Sequence, residues 1–351
     1  MKKTISAETA RILGRYRVLP DGIDVSWVNS GIELRFRGTQ LVLSVRSTST
    51  EKIKQAFLQV WIDGKRRARI KTKLGEDDYV AAYGLEDREH TAKILLVSET
   101  QWHPFAFLAA ETDGEILPPP EAPAGQLKFD CYGDSLTCGV GTIPGWPGPD
   151  SDWQDSTLAH AYRIVEHFGG DGQYTAISGW GIFRGYCGDE PSNIPRVFDC
   201  TTMATEEKYD VASRDADYII VMLGTNDTAN PVERETLRDA YLRFFNKLRA
   251  VSPRAKIYCS TTEAAVPALD DVVGSYWWTN GNKEKNEAPA LKSDSIHLNG
   301  WGEYLQACTW LAFLFDCDVA DLPYTPDFAK KDPRRAETIR RCAQEAVRAI
   351  P

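Results

Sequence analysis

Phe129-Asp130-Cys131-Tyr132-Gly133-Asp134-Ser135-Leu136-Thr137-Cys138-Gly139-Val140-Gly141, FDCYGDSLTCGVG in one-letter code, decides how the rest of the chain is read. The apolar run from Leu127 to Tyr132 reads as a buried strand, and it breaks at Gly133 into a turn that carries Asp134 and Ser135. A serine leaving a strand end on a glycine-led turn is held clear of the sheet edge, with its hydroxyl and its own backbone N–H facing one small volume. That presentation suits a nucleophile. Taken alone, the same residue would equally serve to cap the next segment.

Partners for Ser135 stand downstream in Ser178-Gly179-Trp180-Gly181-Ile182, in Leu223-Gly224-Thr225-Asn226-Asp227 and in Asp294-Ser295-Ile296-His297. The four stretches resemble the first, second, third and fifth blocks of the SGNH, or GDSL, hydrolases, and they occur in that family's order. The resemblance implies an ester-hydrolysing site, which needs a nucleophile, a base, a group to orient the base and donors for the developing oxyanion. Ser135 is the expected nucleophile and His297 the base. His90, His103, His160 and His167 lie outside the four stretches, and the last two sit on the helix expected from Leu158 to Phe168. Asp294, three residues before His297, can fold back onto the imidazole as the third member of a triad. In some relatives a backbone carbonyl does that work, so triad and dyad both stay open. The expected oxyanion donors are the backbone N–H groups of Ser135 and Gly179 and the side-chain amide of Asn226. Asp134 and Asp227 are read as braces for their turns.

Ahead of this lies a different pattern. Between about Gly14 and Leu117 the chain shows short alternating or β-branched runs, at 22–28, 31–36, 40–45, 56–62, 67–70, 79–83, 91–97 and 106–110, with Asp63-Gly64 as a hairpin signal. Ala7 to Leu13 is expected as a short helix. Many strands at regular spacing suggest a sandwich or jelly roll. Gly31 to Thr39, Trp61-Ile62-Asp63-Gly64, and the stretch from Gly84-Leu85 through His90 to Glu99-Thr100 resemble the N-terminal jelly roll of carbohydrate esterase family 2, which precedes an SGNH domain.

The expected organisation is therefore an all-β jelly-roll or β-sandwich domain over 1–117, a Pro-rich linker over 118–126, an α/β SGNH-hydrolase domain over 127–318, and a C-terminal helical extension over 319–351. In the α/β part, strands at 127–132, 174–177, 218–223 and 256–260 alternate with helices at 158–168, 231–250 and 301–315. That alternation means a parallel sheet flanked by helices, with its site beyond the carboxyl ends of the strands. His297 is placed on a loop. Between Ser260 and Asp294 only a weak helix, Ala268 to Gly274, and Tyr276-Trp277-Trp278 are visible, so the last strand of the family pattern is missing or rudimentary. The tail from Asp332 to Ile350 has helical periodicity and is expected to pack on its own domain.

Composition narrows the partners. With 42% hydrophobic and 26% charged residues, the 351-residue chain is an ordinary globular protein of about two domains. Its 41 Lys plus Arg against 50 Asp plus Glu give a net charge of -9, which argues against nucleic acid or an anionic membrane as a partner. No window has the length of a membrane span. A basic start is followed by Glu8 and Arg11 instead of an apolar stretch, so a cytoplasmic location is expected, or a secreted one if a leader has been trimmed. Eight cysteines without a CxxC pair make metal and thiol chemistry unexpected, so no metal and no cofactor is anticipated. Trp146, Trp153, Trp180, Trp277 and Trp278 fall near the expected mouth. Of these, Trp180, Trp146 and Trp277 are candidates for stacking on a sugar face.

The resemblance implies a serine esterase that removes O-acetyl groups from acetylated xylo-, manno- or gluco-oligosaccharides without a cofactor. Another SGNH activity, lipase-like or thioesterase-like, is the first alternative, and a non-catalytic carbohydrate-binding protein on an esterase scaffold is the second. Homo-oligomerisation stays open.

Overall fold

The computed structural model describes residues 2–49, 51, 54–143, 151–205, 207–259, 277–279, 293–320, 322, 325–327 and 329–348. Twelve strands come first among them: β1 (Lys2–Thr4), β2 (Arg11–Leu13), β3 (Arg17–Leu19), β4 (Gly22–Asp24), β5 (Gly31–Gly38), β6 (Leu41–Ser47), β7 (Phe57–Ile62), β8 (Lys65–Lys71), β9 (Gly75–Ala82), β10 (Arg88–Leu96), β11 (Phe105–Glu111) and β12 (Glu115–Leu117). They pair antiparallel in two sheets, one ordered β3-β4-β11-β6-β9 with β1 on β11, the other β12-β5-β10-β7-β8 with β2 on β5. Inward-facing Ile32, Leu34, Phe36, Leu43, Val45, Val60, Ile94 and Phe107 fill the space between them. The β7–β8 hairpin turns on Asp63 and Gly64, both at positive φ (51° and 72°), the turn that matches the strand twist.

One expectation is corrected here. Ala7 to Leu13 forms no helix: Thr9 closes a turn by accepting from the Ser6 N–H and donating to the Thr4 carbonyl, and Arg11 to Leu13 pair as β2 with Glu33 to Gly31. Seven residues cannot sustain a helix alone, whereas the ladder and the docking of Ile12 on the sandwich core reward the extended form. Ile116 and Leu117, just ahead of the proline-rich stretch, belong to β12, which pairs with Arg35 to Arg37.

The second half is a parallel sheet ordered β14 (Asp171–Ala176), β13 (Lys128–Gly133), β15 (Tyr218–Met222) and β16 (Lys256–Cys259). Period-two alternation in β15 and just beyond it assigns the two faces. Ile220 and Met222 join α2 (His160–His167) and the helix Gly300–Phe315, while Ile219, Val221 and Leu223 join Phe244 and Leu248 of the helix Arg234–Val251. The short helices α1 (Ser135–Cys138) and α3 (Val211–Arg214) complete the numbering ahead of α4 (Arg234–Val251), α5 (Gly300–Phe315) and α6 (Pro333–Arg348). In α6, Ala336, Ile339 and Ala343 are buried in the same cluster as Tyr304 and Cys308 of α5, and Arg340 donates to the Tyr304 hydroxyl at 3.1 Å. The tail helix thus packs on its own domain.

β17 (Trp277–Thr279) and β18 (Ser293–Leu298) form a separate antiparallel ladder, and the parallel sheet has four strands among the described residues. His297 therefore sits near the end of a strand, not on a loop. The expected weak helix at Ala268 to Gly274 lies outside the described residues.

The two halves share one seam. Val28, Phe57, Leu95 and Val97 of the sandwich belong to the same apolar cluster as Leu136, Tyr162 and Tyr174. Around it, the buried Arg15 donates to Gln173 and to the carbonyls of Phe198 and Cys200, the Trp27 indole donates to the Thr201 carbonyl at 3.1 Å, and Arg66 pairs with Asp155.

Candidate active site

Because β13 lies between β14 and β15, the loops leaving the carboxyl ends of these three strands emerge side by side, about one strand spacing (~4.8 Å) apart. β13 delivers Ser135, β14 delivers Gly179 and β15 delivers Asn226. The turn after β13 is possible only with glycine at 133, since a Cβ there would meet the Thr137 hydroxyl at 2.0 Å. Asp134 then caps α1 by accepting from the Leu136 N–H at 3.1 Å, which fixes Ser135 at the first helical position. His297 arrives from the other side. Its Nε2 lies 2.7 Å from Ser135 Oγ across 162 residues of sequence, and Asn299, two residues on, caps α5 through the N–H groups of Trp301 and Gly302. A strand end before the histidine and a capped helix after it leave the imidazole little freedom.

Among the described residues, neither the Ser135 nor the Gly179 backbone N–H donates to a protein acceptor, as an oxyanion site requires. Gly179 holds φ at +82°, a conformation that disfavours any other residue, and its carbonyl accepts from the Tyr186 N–H at 2.9 Å. The Asn226 amide is more committed. It donates to the Trp180 carbonyl at 2.9 Å and to Asp134 Oδ2 at 3.2 Å, so an oxyanion would compete with the longer of these bonds.

Asp227 and Asp134 brace the site. Asp227, fully buried, accepts from the backbone N–H groups of Ile182, Phe183 and Arg184 and thereby ties the loop after β14 to the loop after β15. Burial holds the Asp134 carboxyl above its ordinary value of 3.8, at about 6, against the opposing pull of the Leu136 N–H and of His297. Over that window the folded chain keeps a proton that the unfolded chain has released. The associated stability is therefore complete below about 3.8 and is lost as pH rises through about 6, roughly 3 kcal/mol in all. Asp134→Asn is expected to flatten this part of the curve. Urea midpoints of wild type and variant at pH 4 and pH 7 check it, and identical pH slopes would show that the carboxyl carries no such burden.

The remaining sequence candidates fall as follows. Trp180 lies half-buried beside Gly179. Trp146 lies outside the described residues, and Trp277 begins β17 with its side chain outside what is described, as is that of Asp294 within β18. Of the other histidines, His160 is fully buried against Glu303, with Nδ1 2.9 Å from its carboxylate, which makes it structural. The cysteines are free thiols; Cys131, Cys138, Cys200 and Cys308 are buried. No group of described His, Cys, Asp or Glu residues could hold a metal ion, and no described helix is long and apolar enough to cross a membrane.

Two residues of the sandwich reach the site unannounced by the sequence reading. Trp102, 47% exposed, stands on the loop between β10 and β11 with its ring centroid 5.6 Å from that of Trp180. Glu99, on the same loop and 1% exposed, accepts from the Ser178 N–H at 2.8 Å. Glu99-Thr100 already figures in the family resemblance, but nothing in its spacing points to a partner so far along the chain.

Comparison with known proteins agrees with this two-part fold. Residues 12–120 match the family model described as carbohydrate esterase 2 N-terminal, and residues 131–294 match that of the GDSL-like lipase/acylhydrolase family. An acetylxylan esterase / glucomannan deacetylase of Cellvibrio japonicus is 26% identical over 271 residues, covering 73% of each chain. The cellulase/esterase CelE of Acetivibrio thermocellus is 22% identical over 68% of this chain, but this match spans only 29% of that longer protein. Among solved structures, a family two carbohydrate esterase from Clostridium thermocellum in complex with cellohexaose superposes with a TM-score of 0.71 at 19% identity, covering 85% of this chain and 95% of that one.

Proposed function

We propose that this chain, which belongs to carbohydrate esterase family 2, is a serine esterase that removes O-acetyl groups from acetylated oligosaccharides. The observation that carries the reading is the 2.7 Å approach of His297 Nε2 to Ser135 Oγ, between segments that share no local structure. Ser135 Oγ attacks the acetyl carbonyl while its proton passes to His297 Nε2. The negative oxygen of the tetrahedral intermediate takes hydrogen bonds from the Ser135 and Gly179 N–H groups and from the Asn226 amide. As the C–O bond to the sugar breaks, His297 returns the proton to the departing alcohol, and water activated by the same imidazole then releases acetate from the acyl-enzyme. Asp294 orients the imidazole in this scheme.

Acetate release from acetylated xylan, mannan and cellobiose fragments, measured beside hydrolysis of long-chain acyl esters, tests the reading. A clear preference for acetyl on at least one of the sugars is expected. Preference for long acyl chains would overturn it.

Trp102 and Trp180 together present an aromatic face next to the oxyanion glycine, suited to the C–H face of a sugar ring. Trp102→Ala is expected to raise KM for acetylated oligosaccharides about 3- to 10-fold at nearly constant kcat, while leaving KM for 4-nitrophenyl acetate unchanged. Equal effects on both substrates would remove the tryptophan from sugar binding.

A further inference from the structure

The loop that follows β10 inserts a carboxylate between the two halves of the molecule. Glu99 Oε1 accepts from the Ser178 N–H at 2.8 Å, and Oε2 accepts from the Ser178 hydroxyl and from Gln154 Nε2, the latter at 2.9 Å. The Glu99 N–H in turn donates to Gln154 Oε1 at 2.9 Å, so glutamate and glutamine clasp each other in both directions. Among the described residues no lysine, arginine or histidine pairs with Glu99. Its two carboxyl oxygens accept from N–H and O–H donors, and this acceptor-only role is one that a carboxylate fills and an amide does not.

Ser178 immediately precedes Gly179, whose N–H must point at the carbonyl oxygen of the substrate. Gly179 has no side chain with which to fix its own peptide, and its left-handed backbone offers many alternative orientations. Two groups of the preceding residue are instead pinned by a buried carboxylate from the sandwich. Donors for an oxyanion must be aimed to within tenths of an ångström, and that aim depends on the groups behind them.

We infer that Glu99 is a positioning residue of the reaction, through which the sandwich domain aims the oxyanion donor Gly179. This inference rests on the esterase reading above. An amide at this position would turn an NH2 group toward Ser178 or Gln154, leaving donor against donor, and the Ser178-Gly179 peptide would lose its fixed orientation.

The experiment compares wild type, Glu99→Gln and Ser178→Ala. Glu99→Gln is expected to lower kcat for 4-nitrophenyl acetate about 30- to 100-fold with KM changed less than about threefold. Ser178→Ala, which keeps the N–H but removes the hydroxyl, is expected to lower kcat about fivefold, and the double variant to be no worse than Glu99→Gln alone. A role confined to stability would move the melting temperature without this split.

The second readout is inhibition by phenylboronic acid. Its boron bonds to Ser135 Oγ as the hydroxyl proton passes to His297, and an oxygen on boron occupies the oxyanion position. The inhibition constant is expected to rise by the same factor by which kcat/KM falls. Unchanged kcat and unchanged boronate affinity in the folded Glu99→Gln variant would overturn the inference. Should that variant not fold, the same two constants unchanged in Ser178→Ala would overturn it. Wild type that hydrolyses no acetyl ester, yet binds the boronate more tightly than Glu99→Gln does, would instead defeat the esterase reading and leave the role of Glu99 standing.

Discussion

Ser135→Ala is expected to lower the rate of acetate release by about 10⁴- to 10⁶-fold while leaving the fold and the affinity for acetylated oligosaccharide in place. In the proposed mechanism the hydroxyl oxygen bonds to the acetyl carbon, a role that none of the oxyanion donors can take over. Its removal leaves only the oxyanion donors to favour direct attack by water. The fold should survive because the turn is specified by Gly133, by the Asp134 cap and by the buried Leu136, none of which involves the Ser135 oxygen. Turnover of 4-nitrophenyl acetate and calorimetric titration with an acetylated oligosaccharide check the two halves of the expectation. Turnover retained within tenfold of wild type would remove Ser135 from the mechanism.

His297→Ala is expected to cost about 10⁴-fold or more, and to do so at both chemical steps. In the proposed mechanism the imidazole takes the Ser135 proton during acylation and activates water during deacylation, so the variant should show neither a burst of 4-nitrophenol nor steady turnover. A full burst of one equivalent per chain would show that acylation proceeds without the histidine, whatever the Nε2 to Oγ distance. Free imidazole should restore part of the rate, because the missing side chain leaves a space beside Ser135 Oγ. Rescue by a base of matching shape separates lost chemistry from a damaged fold.

Much of this arrangement is legible in the sequence, for identifiable reasons. Each of the first three blocks follows directly on a parallel strand, and strands such as 218–223 announce themselves as unbroken apolar runs covered on both faces. Once the strands are placed, the loops at their carboxyl ends fall together, and Ser135, Gly179 and Asn226 with them. The sandwich is legible through alternation and through Asp63-Gly64. Three-residue edge strands such as β1, β3 and β12 are not, because so short a run carries no period. The residues at 11–13 are extended because a partner strand receives them, which no window of seven residues reveals. His297 is legible as a type and a spacing, but its place on a strand depends on pairing with β17, a long-range choice. Trp102 and Glu99 are the hardest, since their roles exist only once the sandwich has docked against the hydrolase half.

That docking has a consequence for how such a molecule can change over evolutionary time. Arg15 and Trp27 reach across the seam to main-chain oxygens, and Arg69 of β8 does the same to the carbonyls of Ser151 and Gln154. Guanidinium and indole donors bound to backbone oxygens place demands on the shape of the neighbouring chain, whatever side chains that chain carries. The sandwich is therefore no interchangeable appendage that recombination could replace with a foreign module. A foreign module lacking these donors would leave the carbonyls of Phe198, Cys200 and Thr201 without their partners and the place of Glu99 unfilled, so exchange of the sandwich is constrained by the shape of this seam more than by the side chains along it.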